Sequence, residues 1–106
     1  LHKLGVELLF HTYIDRFTFA AITHNTATDK FDAIIYLDER VTNEEKRANA
    51  AAMRKAFDAW LEESGHTVDP TALTEVPDPC EGRFDTLTEA IAHIDHILRF
   101  PDLLLI

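Results

Sequence analysis

The strongest constraint on the fold is one long helix that has clear start and stop signals. Thr42 and Glu45 stand three residues apart, which is the spacing of a capping box. Gly65 follows the last turn and suits the left-handed conformation that ends many helices. Between these signals the apolar residues recur at helical spacing: Ala50, Met53, Phe57, Trp60 and Leu61. The pattern predicts a helix over 43–64.

A second helix is predicted over 86–99. Asp85 is the expected N-cap, because aspartate readily accepts hydrogen bonds from the first backbone amides of a helix. Pro101 stands just beyond the other end, where its ring prevents the helix from continuing. The predicted buried stripe consists of Leu87, Ile91, Ile94 and Leu98.

The first part of the chain also has apolar residues at a spacing that fits a helix. They are Val6, Leu9, Phe10, Tyr13, Ile14 and Phe17. Because they follow the pattern i, i+3, i+4, i+7, i+8, the spacing predicts a helix over 3–15. An alternative interpretation continues this helix through Ala20 and Ala21, so that 3–24 is one long helix.

Two runs of strand-forming residues follow, at 17–23 and 32–37. A polar stretch at 25–30 separates them, and this arrangement is typical of an antiparallel hairpin. A third strand could come from residues 72–76 or from the apolar tail 103–106. Pro70, Pro77 and Pro79 permit only a short edge strand at the first of these places.

Together these elements predict an α+β fold, with helices at 3–15, 43–64 and 86–99 packed on an antiparallel hairpin or small sheet. The 106 residues are expected to form a single domain, 1–106. Cys80 is the only cysteine, and no apolar stretch of about 18 residues occurs. We therefore expect a reduced, cytoplasmic protein with no membrane partner.

The charge is distributed unevenly along the chain. Residues 1–55 hold eight acids and eight bases, whereas residues 56–106 hold eleven acids and two bases, so the second part carries the whole net charge of −9. An anionic field of this size repels phosphate, which argues against direct binding of nucleic acid. It suits a basic partner, and it also keeps a protein soluble.

The histidines are the residues most suited to chemistry. His93 and His96 stand three residues apart on the second predicted helix, with Glu89 one turn earlier, so these three are candidate metal ligands. A further ligand such as His11 or His24 would have to come from elsewhere. The helical wheel places both imidazoles toward water, which favours solvated side chains and no bound metal or other cofactor.

Other catalytic signatures are incomplete. His11, with Asp15 four residues later and Glu7 four before, could form an oriented general base on a helix, but such spacing also decorates ordinary polar faces. Asp78 stands close to Cys80, and negative charge raises the pKa of a thiol, so we expect an unreactive cysteine. No glycine-rich phosphate loop and no nucleophile motif is present in the sequence.

The favoured hypothesis is a non-enzymatic interaction protein that binds a basic protein surface, with inhibition of that partner as one consequence. The candidate binding residues are Asp58, Trp60, Glu62 and Glu63, since they combine an aromatic anchor with an acidic rim. One alternative is a small metal-dependent enzyme or metal sensor that uses His93 and His96. Another is a structural homodimer, because the apolar tail and the Trp60 face exceed what a small domain easily hides.

Overall fold

A computed structural model describes residues 5–73 and 78–105. Within these residues, four antiparallel strands form one sheet in the order β1-β2-β3-β4, and two α-helices pack on it. This architecture confirms the predicted α+β class. The elements are β1 (Val6–Asp15), β2 (Thr18–Asn25), β3 (Lys30–Leu37), α1 (Asn43–Ser64), β4 (Glu81–Phe84), α2 (Leu87–Arg99) and a terminal 3-10 helix (Pro101–Leu104).

The predicted helix over 3–15 is wrong, because the described part of this segment forms strand β1. The single long helix over 3–24 is wrong for the same reason. The pairing of β1 with β2 shifts register between Leu8 and Phe10 and again between Tyr13 and Asp15. Each shift inserts one extra residue, so inward side chains no longer alternate strictly. Leu9, Phe10 and Ile14 all contact the core, and this irregular spacing resembles that of a helix.

The hairpin prediction is confirmed. Strands β2 and β3 cover the predicted runs except Phe17, and they pair in continuous register from Thr18–Leu37 to Asn25–Lys30. On the β3 side the hairpin is extended by β4, which pairs with β3 from Phe31–Phe84 to Ile34–Glu81. Of the two predicted places, Ala72 and Leu73 are not in a strand and 74–76 lie outside the described residues. The tail forms a 3-10 helix through Leu104, so the strand predicted at 103–106 is wrong there.

Helix α1 has the predicted bounds and the predicted signals at both ends. The Thr42 hydroxyl accepts a hydrogen bond from the Glu45 amide, and the Glu45 carboxylate accepts one from the Thr42 amide. Gly65 ends the helix with φ of 75°, a left-handed conformation in which a side chain would be strained. Local sequence alone therefore determines where this helix begins and ends.

Helix α2 lies where it was predicted, but the predicted N-cap at Asp85 is wrong. Thr86 is the N-cap, and it forms a second capping box with Glu89. Asp85 instead forms an ion pair with Lys30. The helix is buried around most of its circumference, including Ala92, His93 and Asp95, because it contacts β3, β4, α1 and the terminal 3-10 helix.

The core lies between the sheet and the helices. Helix α1 packs over β1 and β2, and α2 packs over β3 and β4. The most completely buried large side chains are Ile22, Ile35, Met53, Phe57, Ile91, Ile94 and Ile97. Leu104 closes this core, and its carbonyl accepts a hydrogen bond from the buried Lys46 ammonium at 3.0 Å. Within the described ranges, neither helix is both long and apolar enough to cross a bilayer.

Candidate interaction surface

In the part of the chain that the structure describes, helices cover only one face of the sheet. Ile22 and Ile35 point into the core, so the residues that alternate with them on β2 and β3 point to the opposite side. On β1, where the bulges break alternation, the pairing with β2 places Leu8, His11 and Tyr13 on that same side. We call this side the open face. The strand register arranges its side chains on β1, β2 and β3 in four rows: Tyr13–Phe19–Tyr36, His11–Ala21–Ile34, Leu8–Thr23–Asp32 and Val6–Asn25–Lys30.

The open face exposes large apolar and aromatic side chains. Leu8 is 60% exposed, Tyr13 55% and Tyr36 41%. The Phe19 ring stacks on Tyr36 with centroids 5.2 Å apart and lies 6.1 Å from the His11 ring. Antiparallel sheets that face water usually carry polar residues on that side. The open face departs from this rule, and a contiguous apolar patch typically marks a contact surface.

Most of the few charges on the open face have a partner of opposite sign among the described residues. The Arg83 guanidinium donates to the Asp32 carboxylate at 2.9 Å, and Lys30 pairs with Asp85. The hydrogen bond to Asp32 raises the pKa of Arg83, so this pair stays ionised. Glu81, at the edge next to Ile34, is the remaining carboxylate in these rows. The face thus carries little of the net charge of −9.

The four predicted binding residues lie on the second half of α1, away from the open face. Trp60 is half-buried and packs against Phe10 and Phe57, with ring centroids 5.3 and 5.9 Å away. Asp58 forms an ion pair with Arg54 at 3.0 Å. Glu62 and Glu63 are exposed, and no cationic side chain of the described residues pairs with either. The structure therefore places an exposed acidic pair beside an aromatic residue that already has partners.

The prediction that His93 points to water is wrong. Its side chain is 0% exposed, lies 5.3 Å from the Phe84 ring, and makes no hydrogen bond within the described residues through either ring nitrogen. The Pro79 carbonyl lies nearby without satisfying hydrogen-bond geometry. Burial lowers the pKa of His93, and Pro79 and Asp78 offset this only in part. The imidazole is therefore neutral near pH 7.

The histidines are spread over different parts of the molecule. His96 is half-buried beside Phe100, and Glu89 serves the Thr86 cap, so neither joins His93 in a metal site. His24 pairs with Asp29 at 2.9 Å, near the β2–β3 turn. Over residues 5–73 and 78–105, no cluster of three or more His, Cys, Asp or Glu side chains has the geometry to hold a metal ion.

The predicted general base is not assembled. His11 lies on the open face of β1, not on a helix. The Asp15 carboxylate accepts a hydrogen bond from the Phe17 amide, and the Glu7 carboxylate lies 3.7 Å from His24. The three residues therefore have separate local partners.

Cys80 lines a groove of about 310 Å³ next to the C-terminal end of β3. Partial burial and then Asp78 raise the pKa of this thiol, while Lys46 opposes them. The direction agrees with the prediction of an unreactive cysteine. Tyr36 lines the same groove, so the groove adjoins the aromatic row.

Several acidic residues of the segment 56–106 form ion pairs with basic residues of the segment 1–55. Asp85 pairs with Lys30 and Asp102 with Arg47. The buried Asp95 receives Arg54 at 2.7 Å and Arg99 at 3.0 Å. Folding thus places bases of residues 1–55 against acids of residues 56–106, which makes the charge less lopsided in space than along the sequence.

Comparison of the chain with protein-family models, with curated proteins and with solved structures found no match. The open face was missed from the sequence because Leu8 and Tyr13 were assigned to a helix. The signal that could have found it is the outward set of β2 and β3, where Phe19, Ile34 and Tyr36 alternate with core residues.

Proposed function

We propose that the protein is a non-enzymatic interaction module whose open face binds a protein surface. The observation that carries this proposal is the exposure of Leu8, Tyr13 and Tyr36 on a sheet face that carries little charge and that no helix of the described residues covers. Burial of apolar area provides the free energy of most protein association, at about 25 cal/mol per Å². Aromatic residues are enriched where proteins meet, and Tyr13, Phe19 and Tyr36 form a continuous row.

Photo-crosslinking tests this function. A benzophenone amino acid replaces Tyr13 on the open face, and the matched control places it at Leu103, which is 44% exposed on the terminal 3-10 helix. We expect specific protein adducts, including adducts between copies, from position 13 and few from position 103. Adducts are identified by mass spectrometry and must disappear when excess native chain competes. Equal labelling from both positions, or none from position 13, would contradict the proposal.

A second candidate surface is the acidic end of α1, as the charge pattern predicted. Glu62 and Glu63 lie in the last turn, which contains no basic residue. The C-terminus of a helix carries partial negative charge, so acids there are unfavourable by roughly 0.3–1 kcal/mol each. A basic partner would relieve this repulsion, and this is the observation that favours the candidate.

An octalysine peptide is a suitable probe of the acidic end, with Trp60 fluorescence as the readout. The double variant Glu62→Gln/Glu63→Gln should bind the peptide severalfold more weakly than the native chain. The matched control Glu39→Gln/Glu44→Gln removes the same charge from exposed positions near the opposite end of α1. Equal weakening by both double variants would show non-specific attraction and eliminate this candidate.

A further inference from the structure

We infer that the occupant of the open face is the open face of a second copy of this chain. In the resulting homodimer two sheets stack back to back, and the helices of each copy form the outer layers. This inference rests on the proposed function, since it names the partner of the same surface. It is carried by the charge of the face, by its self-complementary chemistry and by its size.

The charge of the open face separates a second copy from the other partners. A basic protein or a nucleic acid would need unpaired charges of the opposite sign. The open face offers a basic partner little besides Glu81, and its cations Lys30 and Arg83 are already paired with Asp85 and Asp32. Two chains that each carry −9 can approach closely only through a surface that contributes little of that charge.

The stacked arrangement also keeps the acids of the two copies apart. Sheets that pack face to face lie about 10 Å apart, and the helices lie on their far sides. Glu62 and Glu63 on α1 of one copy are therefore separated from those of the other by two sheets. This separation exceeds the Debye length of about 8–10 Å at ordinary salt concentrations.

The side chains of the open face are suited to packing against an identical face. A two-fold axis brings the same patch of both copies together, so the patch must be self-complementary. The row Tyr13–Phe19–Tyr36 can place aromatic rings against aromatic rings, and such pairs stabilise one another beyond their buried area. The Tyr36 hydroxyl already donates to Asp38 at 3.3 Å, just beyond the end of β3. Leu8 and Ile34 supply aliphatic area to the same contact.

The size of the face predicts a reversible dimer. The four strands lie about 4.8 Å apart and have 10, 8, 8 and 4 residues, so at about 3.3 Å per residue they present a plane of about 500 Å². Two such faces together bury about 1,000 Å², the size of a weak, transient interface and below the roughly 1,200–2,000 Å² of standard ones. The dissociation constant is therefore expected in the micromolar range, where association can be followed in both directions.

Sedimentation equilibrium of the native chain between about 1 and 200 μM tests the inference. We expect the mass to rise from 12.1 kDa toward twice that value. Tyr13→Glu and Leu8→Glu should each weaken the dimer at least tenfold, because each buries a carboxylate in the contact. Both side chains are more than half exposed, so folding should survive, and circular dichroism verifies it. The matched control Leu103→Glu should leave the dimer unchanged.

Salt gives an independent signature. Raising sodium chloride from 0.05 to 0.5 M screens the repulsion between two anionic copies, so the dimer should tighten by roughly tenfold. A complex with a basic partner would weaken over the same range. A dimer that weakens with salt would therefore contradict the inference.

The remaining outcomes are also decisive. A native chain that stays monomeric at 200 μM in high salt overturns the homodimer, and so does a dimer lost with Leu103→Glu but not with Tyr13→Glu. If position 13 then crosslinks only to other proteins, the interaction function survives and the second copy does not. If position 13 forms no adduct at all, both proposals fail.

Discussion

Burial of the His93 imidazole should make the free energy of unfolding depend on pH. Burial lowers its pKa below the ordinary value of 6.5, so the unfolded chain binds a proton more readily than the folded one. Stability should be unaffected by this residue well above pH 6.5. It should fall as pH drops from 6.5 toward the lowered pKa, by up to about 1.4 kcal/mol per pH unit. Urea unfolding between pH 8 and 5 measures this slope.

The variant His93→Leu isolates the effect. It replaces an imidazole whose nitrogens have no hydrogen-bond partner in the described residues, so it should raise the free energy of unfolding by about 1 kcal/mol at pH 7. It should also flatten the pH dependence below 6.5. The matched control Ile97→Leu changes a neighbouring buried side chain without removing a titratable group, so it should keep the slope of the native chain. A slope that His93→Leu leaves unchanged would assign the proton uptake to other groups.

The burial of Asp95 determines how much its ion pairs contribute to stability. It is 4% exposed and receives both Arg54 and Arg99, whereas Asp58 contacts the same Arg54 from a half-exposed position. Removing a buried partner leaves a poorly solvated charge, but both arginines reach water. Asp95→Asn should therefore destabilise by about 2 kcal/mol, less than a fully buried pair would. Asp58→Asn should cost at most about 0.5 kcal/mol. Similar losses in urea unfolding would show that burial of Asp95 does not matter.

At the scale of elements, helices with local signals were predictable and the first strand was not. Helix α1 was predicted because Thr42, Glu45 and Gly65 act through neighbouring backbone groups. The face of α2 that carries His93 and Asp95 was missed because its burial depends on α1, β3 and β4, which are distant in sequence. Strand β1 was missed because its two bulges bring Leu9 and Ile14 to the core out of alternation. The periodicity that distinguishes strand from helix is lost in such a segment.

The start of α2 offers a direct test at this scale. Thr86 accepts a hydrogen bond from the Glu89 amide at 3.2 Å, so Thr86→Ala should destabilise the protein by about 1 kcal/mol. Thr88→Ala is the matched control, because Thr88 is exposed in the first turn and has no capping role. Thermal or urea unfolding distinguishes the two. A larger loss from Asp85→Ala than from Thr86→Ala would place the cap where sequence alone had predicted it.

For the whole molecule, the sequence showed the net charge but not its placement. Asp85, Asp95 and Asp102 gain partners on β3 and α1 that only the tertiary fold brings near, whereas Arg99, the second partner of Asp95, is four residues away on the same helix. The open face was beyond reach for a related reason. Whether a side chain points outward depends on where the core lies. The helical periodicity predicted for 3–15 places the inward side of β1 wrongly. The acidic surface on α1 stays a prediction, whereas the open face, which neighbouring strands make, became visible only with the strand register.

The net charge of −9 should make the stability of the monomer rise with salt. A compact chain concentrates its charge more than an unfolded one, so screening relieves the folded state most. Coulomb's law with Debye screening gives a gain of roughly 1 kcal/mol between 0.05 and 0.5 M sodium chloride. Urea unfolding followed by Trp60 fluorescence below 1 μM, where any dimer of the expected micromolar affinity dissociates, measures this gain.

The variant Glu62→Gln/Glu63→Gln reduces the magnitude of the net charge from −9 to −7, since two of 19 acids are lost against 10 bases. Self-repulsion grows with the square of the charge, so its gain should be roughly 0.6 of the native value. A stability that falls with salt would instead mean that ion pairs such as those of Asp95 outweigh the repulsion.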